Sequence, residues 1–471
     1  MSEGTFWRID QQPANSIALI EDGGVTLTYG ELAARVAMLR DLLPARALMF
    51  CYCENSAASL SGYLAALNAG AVPLMLDGAL DPELSQQLLH KWQPALIWHP
   101  DTRQAEGEVL LHQDGYKLVA TGYASPKMDP TLALLITTSG STGSPKLVRQ
   151  TYRNLQSNCT SICDYLEISA SERPLVYLPM NYVFGLSIIH SHLACGATLL
   201  MTQNSPLQGG FWAFVKAQQA TSLSGVPYTF EMLTKLRFMR MNLPSLRTLT
   251  QAGGKLSVTL QEAYGQWAQE QGKRFFVMYG ASEATSRMGY LPPAIALDNP
   301  GTIGIAIPGG AFALEDAAGD VIDEPNVVGE LIYYGENVSP GYAGEPQDLA
   351  SGDQNGGRLA TGDMAKRDAQ GLYTIVGRKK RFLKVFGNRV GLDELEQLVK
   401  NHFPQLECAA GGEDDHIRIW LTESASADAV KEYVATVAKL HHSALTVIVT
   451  PEIPKNPAGK TLYAQLDSLH G

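Results

Sequence analysis

Charged side chains are sparse in this chain, 18% of its residues, and basic ones are outnumbered: 36 Lys and Arg face 47 Asp and Glu, for a net charge of −11. Such a balance excludes general binding to nucleic acid or to an anionic membrane surface. Cysteine is also scarce. The six thiols, at 51, 53, 159, 163, 195 and 408, include no C-x-x-C pair, and six in a chain this long do not suggest a disulfide framework. They read as reduced, mostly buried thiols, and a cytoplasmic location is expected. Cys159 and Cys163 lie one helical turn apart, but no nearby His or Cys completes a metal site, so packing is their expected role. No apolar run approaches the length of a membrane span. The N-terminus shows no basic-then-apolar signal pattern, and no internal repeat or low-complexity segment occurs. What remains is a globular composition, 45% hydrophobic over 471 residues, too long for one ordinary core. Two or more domains are expected.

Strand and helix patterns alternate to about residue 280, which implies parallel sheets with helices on both faces. Thr28 is placed to cap a helix starting at Tyr29, with Glu31 at the capping-box position. A strand over 47–52, a helix over 57–68 and a short strand after Gly70 follow. Helical periodicity returns from Thr151 to Tyr165. Strands at 175–180, 221–227, 246–252 and 275–278 each end in small residues, where ligands sit in open parallel sheets. From Pro300 to Tyr342 short strands and turns indicate a β-rich subdomain. The last 80 or so residues read as helix (392–402), two strands, helix (427–441) and strand (444–449), a compact α+β unit.

One loop stands out. An apolar run from Leu132 runs into Thr138-Ser139-Gly140-Ser141-Thr142-Gly143-Ser144-Pro145-Lys146. Glycines allow close backbone approach, successive N–H groups form a nest for phosphate, and hydroxyls and one ammonium complete it. It is not a Walker A loop, because Pro145 and Leu147 flank the lysine. Three further stretches carry chemistry of the same kind. Tyr279-Gly280-Ala281-Ser282-Glu283 ends a strand with a hydroxyl and a carboxylate. Gly377-Arg378-Lys379-Lys380-Arg381 opens a basic segment that reaches Gly387. Pro454-Lys455-Asn456-Pro457-Ala458-Gly459-Lys460 places a lysine in a Pro/Gly loop.

These four stretches, in this order, resemble the signature motifs of the adenylate-forming superfamily, which includes acyl-CoA synthetases, adenylation domains and firefly-type luciferases. The resemblance covers nearly the whole chain. Leu147 departs from the family's usual glycine, Ser282 from its threonine, and Leu392 from its proline. The resemblance implies that Thr138, Ser139, Gly140, Ser141, Thr142, Gly143 and Lys146 surround the phosphates, with Gly253, Gly254 and Gly280 in the nucleotide groove. By the same token Tyr279 would stack on adenine, Ser282 contact the α-phosphate, Asp363 and Arg378 hold the ribose, and Glu283 help hold Mg²⁺. Lys460 would be the catalytic lysine, Lys380 the pivot between domains, and Gly387 would line the thiol channel. Tyr182, Val183, Phe184, Gly225 and Met278 would line the acyl pocket, with Tyr182 where relatives carry histidine. No Asp or Glu lies between Arg173 and Gln208 to pair with a substrate ammonium.

The expected fold is therefore α/β. A large ATP- and acyl-binding domain (1–379), built of parallel-rich sheets with helices plus a β-rich subdomain, precedes a small mobile α+β cap (380–471). The expected activity is ATP- and Mg²⁺-dependent activation of a small-molecule carboxylic acid to an acyl-adenylate, then transfer to coenzyme A or a phosphopantetheine carrier protein. Amide-forming or aminoacyl-carrier ligation through the same adenylate is an alternative, as is a non-catalytic nucleotide-binding paralogue.

Overall fold

The computed structural model describes residues 5–137, 146–379, 381–385, 388–413, 415–438, 440–455 and 461–468. Among these residues the strands form four sheets before residue 380 and two smaller ones after it. The largest sheet has parallel strands at its centre: Leu132–Thr137, Val72–Asp77, Leu48–Cys53 and Leu96–Pro100. Their near-continuous apolar sequence suits strands covered on both faces, and all of Leu48–Cys53 is buried. Antiparallel strands close both edges. On one side lies the hairpin Glu108–Gln113/Tyr116–Ala120, turned at Asp114-Gly115 with φ of 52° and 76°, a turn with two left-handed residues that favours Asp-Gly. On the other, Leu147–Thr151 folds back antiparallel to Leu132–Thr137, and the short strand Gly341–Ala343 pairs with it. The Ser/Gly/Lys loop therefore spans a β-hairpin, whereas a Walker loop leads from a strand into a helix.

A second sheet holds Ser222–Gly225, Thr248–Gln251 and Arg274–Tyr279 in parallel, followed by antiparallel Gly289–Leu291 and Ile305–Ala306. Helix Val183–Ala194 is buried along nearly its whole length. The β-rich expectation after residue 300 corresponds to an antiparallel sheet of Gly310–Glu315, Val328–Gly335, Arg358–Arg367 and Tyr373–Arg378. Thr28 caps helix Tyr29–Arg40 in a full capping box with Glu31.

After residue 380 a separate apolar cluster forms around Leu392, Leu395, Val399, Ile417, Val430 and Val434. Helix Leu392–His402 has its expected bounds. The next helix, expected to reach His441, instead spans Ala427–Val437. The His441 ring there accepts the Ser443 N–H and caps a 3₁₀ turn over His442–Ala444, which draws the chain off the helix. Among the described residues no helix is long and apolar enough to cross a membrane.

Candidate active site

Arg274–Tyr279 delivers Tyr279 to the carboxyl end of the second sheet. The hydroxyl donates to Asp363, which is 4% exposed. Asp363 lies directly across the antiparallel ladder from Arg378, whose Nε is 2.6 Å from the other carboxylate oxygen. Burial, with Asp363 beside it, holds the Tyr279 phenol well above its ordinary pKa and keeps it a hydrogen-bond donor. Three residues separated by up to 99 positions thus form one cluster.

A second cluster joins Glu283 to the hairpin. Its carboxylate accepts the Tyr342 hydroxyl at 2.6 Å, and the Lys146 ammonium lies 6.0 Å from the centre of the Tyr342 ring. The two sit together because Tyr342 is paired with Val148 in the ladder that continues from Lys146. Burial and Glu283 push the Tyr342 phenol upward as well. Sequence reasoning passed over Tyr342, which belongs to a three-residue strand with no motif of its own.

The segment between the clusters is held under strain. Thr285 has φ 67° and ψ −61°, and the Ser286 N–H reaches the Ala284 carbonyl at 2.7 Å. That geometry is a γ-turn with positive φ, which costs a β-branched residue on the order of 1–3 kcal/mol. Buried amides fix it. Asn337 Nδ2 donates to the Ala284 and Arg287 carbonyls (2.9 and 3.0 Å), and its own carbonyl accepts from Thr285 Oγ1 at 2.7 Å. Gln150 donates to Ser282 O at 3.1 Å and Asn158 to Arg287 O at 2.8 Å. A Cβ on Gly280 would lie 1.8 Å from the Ser286 carbonyl oxygen, so only glycine lets the turn close onto the strand end.

The residues expected around the acyl group converge beside this turn. Tyr182 and Phe184 are 6.3 Å apart, edge to face. Gly253, at φ +84°, would place a Cβ 2.4 Å from the Tyr182 hydroxyl, so conformation and close approach both require glycine there. Gly254 abuts Pro227, and Gly225 abuts Thr229 on its own helix. Val183 and Phe184 are buried at the start of their helix. Met278 Sδ accepts from Tyr165 Oη at 3.0 Å and from Arg287 at 3.3 Å. Arg287, 2% exposed, is a residue sequence reasoning missed, because one basic residue after a motif reads as solvated. Glu172, just outside the acid-free stretch, lines a small cavity that none of the residues expected around the acyl group borders; Thr221 donates to it and Arg247 pairs with it at 3.2 Å.

Thr138, Ser139, Gly140, Ser141, Thr142, Gly143, Lys380, Gly387 and Lys460 lie outside the described residues. The basic run around 380 is nonetheless informative. Arg378 and Lys379 pair backwards, with Asp363 and Glu330 (2.6 Å each). Arg381 pairs forwards, with Asp393 at 2.5 Å and Glu396 at 2.7 Å on helix Leu392–His402. A concavity of about 810 Å³ lies apart from both clusters and is lined by Arg149, Asn154 and Tyr334 among others.

A strand-end tyrosine on a buried aspartate, a carboxylate beside a lysine-tipped hairpin and an adjoining apolar pocket define a nucleotide- and acid-binding class of enzyme. The profile of the "AMP-binding enzyme" family matches residues 5–343, and the chain belongs to that family. Feruloyl-CoA synthase of an Amycolatopsis species is 29% identical over 413 residues, 84% of this chain and 82% of that protein. L-proline–[L-prolyl-carrier protein] ligase of Streptomyces coelicolor is 25% identical, over 94% of this chain and 92% of its own length. O-succinylbenzoate coenzyme A synthetase of Bacillus subtilis, in complex with ATP and magnesium ion, superposes with a TM-score of 0.81 at 23% identity, covering 99% of this chain and 100% of that one. The chain is an AMP-forming, adenylate-making ligase with the fold of these enzymes.

Proposed function

We propose that the two clusters divide ATP between them, and that the acid activated carries no α-ammonium. In the reaction a carboxylate oxygen attacks the α-phosphorus, pyrophosphate leaves, and the acyl-adenylate then passes its acyl group to a thiol. Positioning and charge neutralisation carry such a displacement, since it leaves little covalent work for side chains. Asp363 has lone pairs for the ribose hydroxyls, and Arg378 sits beside it. The Tyr279 ring lies at the strand end where adenine would stack. Glu283 offers the hard oxygen that Mg²⁺ takes together with phosphate oxygens. The ion's part is to neutralise charge on the polyphosphate. Lys146 adds positive charge on the same side, and the loop's N–H groups and Lys460, by the roles the resemblance implies, would supply it at the phosphates and the carboxylate.

The observation that carries this division is the Tyr279–Asp363–Arg378 cluster, assembled from three motifs far apart in the chain. An α-ammonium in the pocket would need a carboxylate there, because an unpaired buried charge costs several kcal/mol. No acid is among the residues expected around the acyl group, Tyr182, Val183, Phe184, Gly225 and Met278. Of the relatives above, one is named for proline and two for acids without an amino group; the acceptor proposed is coenzyme A, with a carrier protein the other outcome. Lys460→Ala tests the assignment. Pyrophosphate exchange should fall about 10²–10³-fold with ATP binding retained. Exchange within a few-fold of wild type would remove Lys460 from the mechanism, and a preferred α-amino acid in a substrate screen would refute the acid class.

A further inference from the structure

We propose that Asn337 is a positioning residue for the activation step. It holds Ser282 and Glu283 in place by clamping the turn that follows them, which rests on the roles proposed above for those two residues.

Asn337 is buried in the link between strands Val328–Gly335 and Gly341–Ala343. Each part of its amide has a partner. Nδ2 donates to the Ala284 carbonyl at 2.9 Å and to the Arg287 carbonyl at 3.0 Å, and Oδ1 accepts the Tyr333 hydroxyl at 2.8 Å. Backbone carbonyls only accept, so the nitrogen has to face them and the amide has one orientation. The main-chain carbonyl of Asn337 accepts Thr285 Oγ1 at 2.7 Å. One residue therefore meets the turn before Thr285, after it and at its side chain. Gly335 leaves the space this needs, since a Cβ there would lie 2.5 Å from Asn337 Oδ1.

The turn needs such a partner. A φ of 67° at Thr285 is a conformation that a β-branched residue resists. Released, the backbone would rotate towards negative φ and carry Ser282 and Glu283 with it. The same link also grips Glu283 directly. Its carbonyl accepts the Ser339 N–H at 2.8 Å, and its carboxylate accepts the Tyr342 hydroxyl at 2.6 Å. Asn154 steadies the link in turn, with Nδ2 donating to the carbonyls on either side of Asn337, Glu336 at 2.7 Å and Val338 at 2.8 Å. Aspartate at 337 would keep the shape and reverse the chemistry, setting a carboxylate oxygen against two carbonyls. Loss of a group that orients a metal-binding carboxylate costs about 10–100-fold in metal affinity. The Tyr279–Asp363–Arg378 cluster is built on separate contacts and should be spared.

The test uses the full-length enzyme and calorimetric binding of ATP with Mg²⁺, ATP with EDTA, and AMP with EDTA. In Asn337→Asp the gain in ATP affinity that Mg²⁺ brings should shrink about tenfold or more, while metal-free AMP binding stays within a few-fold of wild type. Tyr333→Phe keeps the amide but frees it to turn, and should show a smaller loss of the same kind. Glycine adopts positive φ without resistance, so adding Thr285→Gly to Asn337→Ala should return most of what the single change loses. Hydrogen exchange over residues 281–288 of the unliganded enzyme should quicken in Asn337→Asp. A wild-type Mg²⁺ gain in Asn337→Asp overturns the proposal; if that variant does not fold, the same result in Tyr333→Phe overturns it. Equal loss of ATP and AMP binding, with a lowered melting temperature and no recovery from Thr285→Gly, assigns Asn337 to the fold and overturns it too. If ATP binding by the wild type is indifferent to Mg²⁺, the ion role of Glu283 fails. Faster exchange in Asn337→Asp then upholds the clamp, and unchanged exchange removes it.

Discussion

Tyr342 joins Glu283 to the Lys146 hairpin within the second cluster through a single hydroxyl. It donates to Glu283 and presents its ring towards Lys146, so it orients the carboxylate proposed for the ion without itself bearing charge. Tyr342→Phe keeps the ring and removes the bond. A hydrogen bond to a charged group contributes about 1.5–3 kcal/mol, part of which water will restore at this half-exposed position. The Mg²⁺ concentration for half-maximal pyrophosphate release should therefore rise about five- to tenfold, with kcat at saturating Mg²⁺ nearly unchanged. An unaltered Mg²⁺ dependence would detach Glu283 from the ion. Tyr342 was invisible beforehand for a physical reason. A lone tyrosine 59 residues from Glu283 acquires a role only through ladder pairing of a three-residue strand. Arg287 escaped for the complementary reason, since sequence shows the charge and not the depth at which it is buried.

Helix Val183–Ala194 shows what burial does to an element. His190 accepts from or donates to Tyr63 Oη at 2.8 Å and stacks on Phe6 at 3.9 Å, and His192 Nδ1 meets the Ile188 carbonyl at 2.7 Å. Burial lowers their pKa values to about 3 and about 4. Both are thus neutral when folded, while the unfolded chain protonates them below about pH 6.5. As pH falls through that value the unfolded state gains protons and stability declines, by up to about 1.4 kcal/mol per pH unit for each histidine, until the folded-state values are reached. Urea unfolding at pH 7 and pH 5 should show that loss. The double variant His190→Gln with His192→Gln should flatten the dependence, whatever its stability at pH 7. An unchanged slope would mean that other groups govern acid sensitivity.

Elements were legible in the sequence to differing degrees. The helix caps and the strands ending in small residues were plain, because Thr28 with Glu31 and the glycine turns act through local chemistry. Asp114-Gly115 was an equally local turn signal, but the strand before it, Glu108–Gln113, is too exposed to stand out. The γ-turn at Thr285 could not be read at all. Local preference opposes positive φ for threonine, and only Asn337, Gln150 and Asn158, from other parts of the chain, override it. Tyr279, Asp363 and Arg378 were nameable only because the motifs resembled a family. Their meeting is a property of the sheet ladders.

At the scale of the whole molecule, the alternating partners of the basic run set up a difference that salt can exploit. Arg378 and Lys379 hold to the preceding sheet with side chains 60% and 54% exposed, whereas Arg381 is 17% exposed and grips a carboxylate only 9% exposed. Counterions shorten the electrostatic range from about 10 Å at 0.1 M to about 3 Å at 1 M and reach exposed pairs far more than enclosed ones. Rising ionic strength should therefore slacken one side of residue 380 and spare the other. If the two half-reactions require different placements of the chain beyond that residue, potassium chloride becomes a selective effector. In single-turnover assays, going from about 0.05 to 0.5 M should change the ratio of thioester formation to adenylate formation a few-fold. Lys379→Met should blunt that response, and identical salt dependence of the two steps in wild type and variant would refute it. An enzyme built this way would feel the ionic composition of its surroundings in the partition of its intermediate between release and transfer, before feeling it in stability.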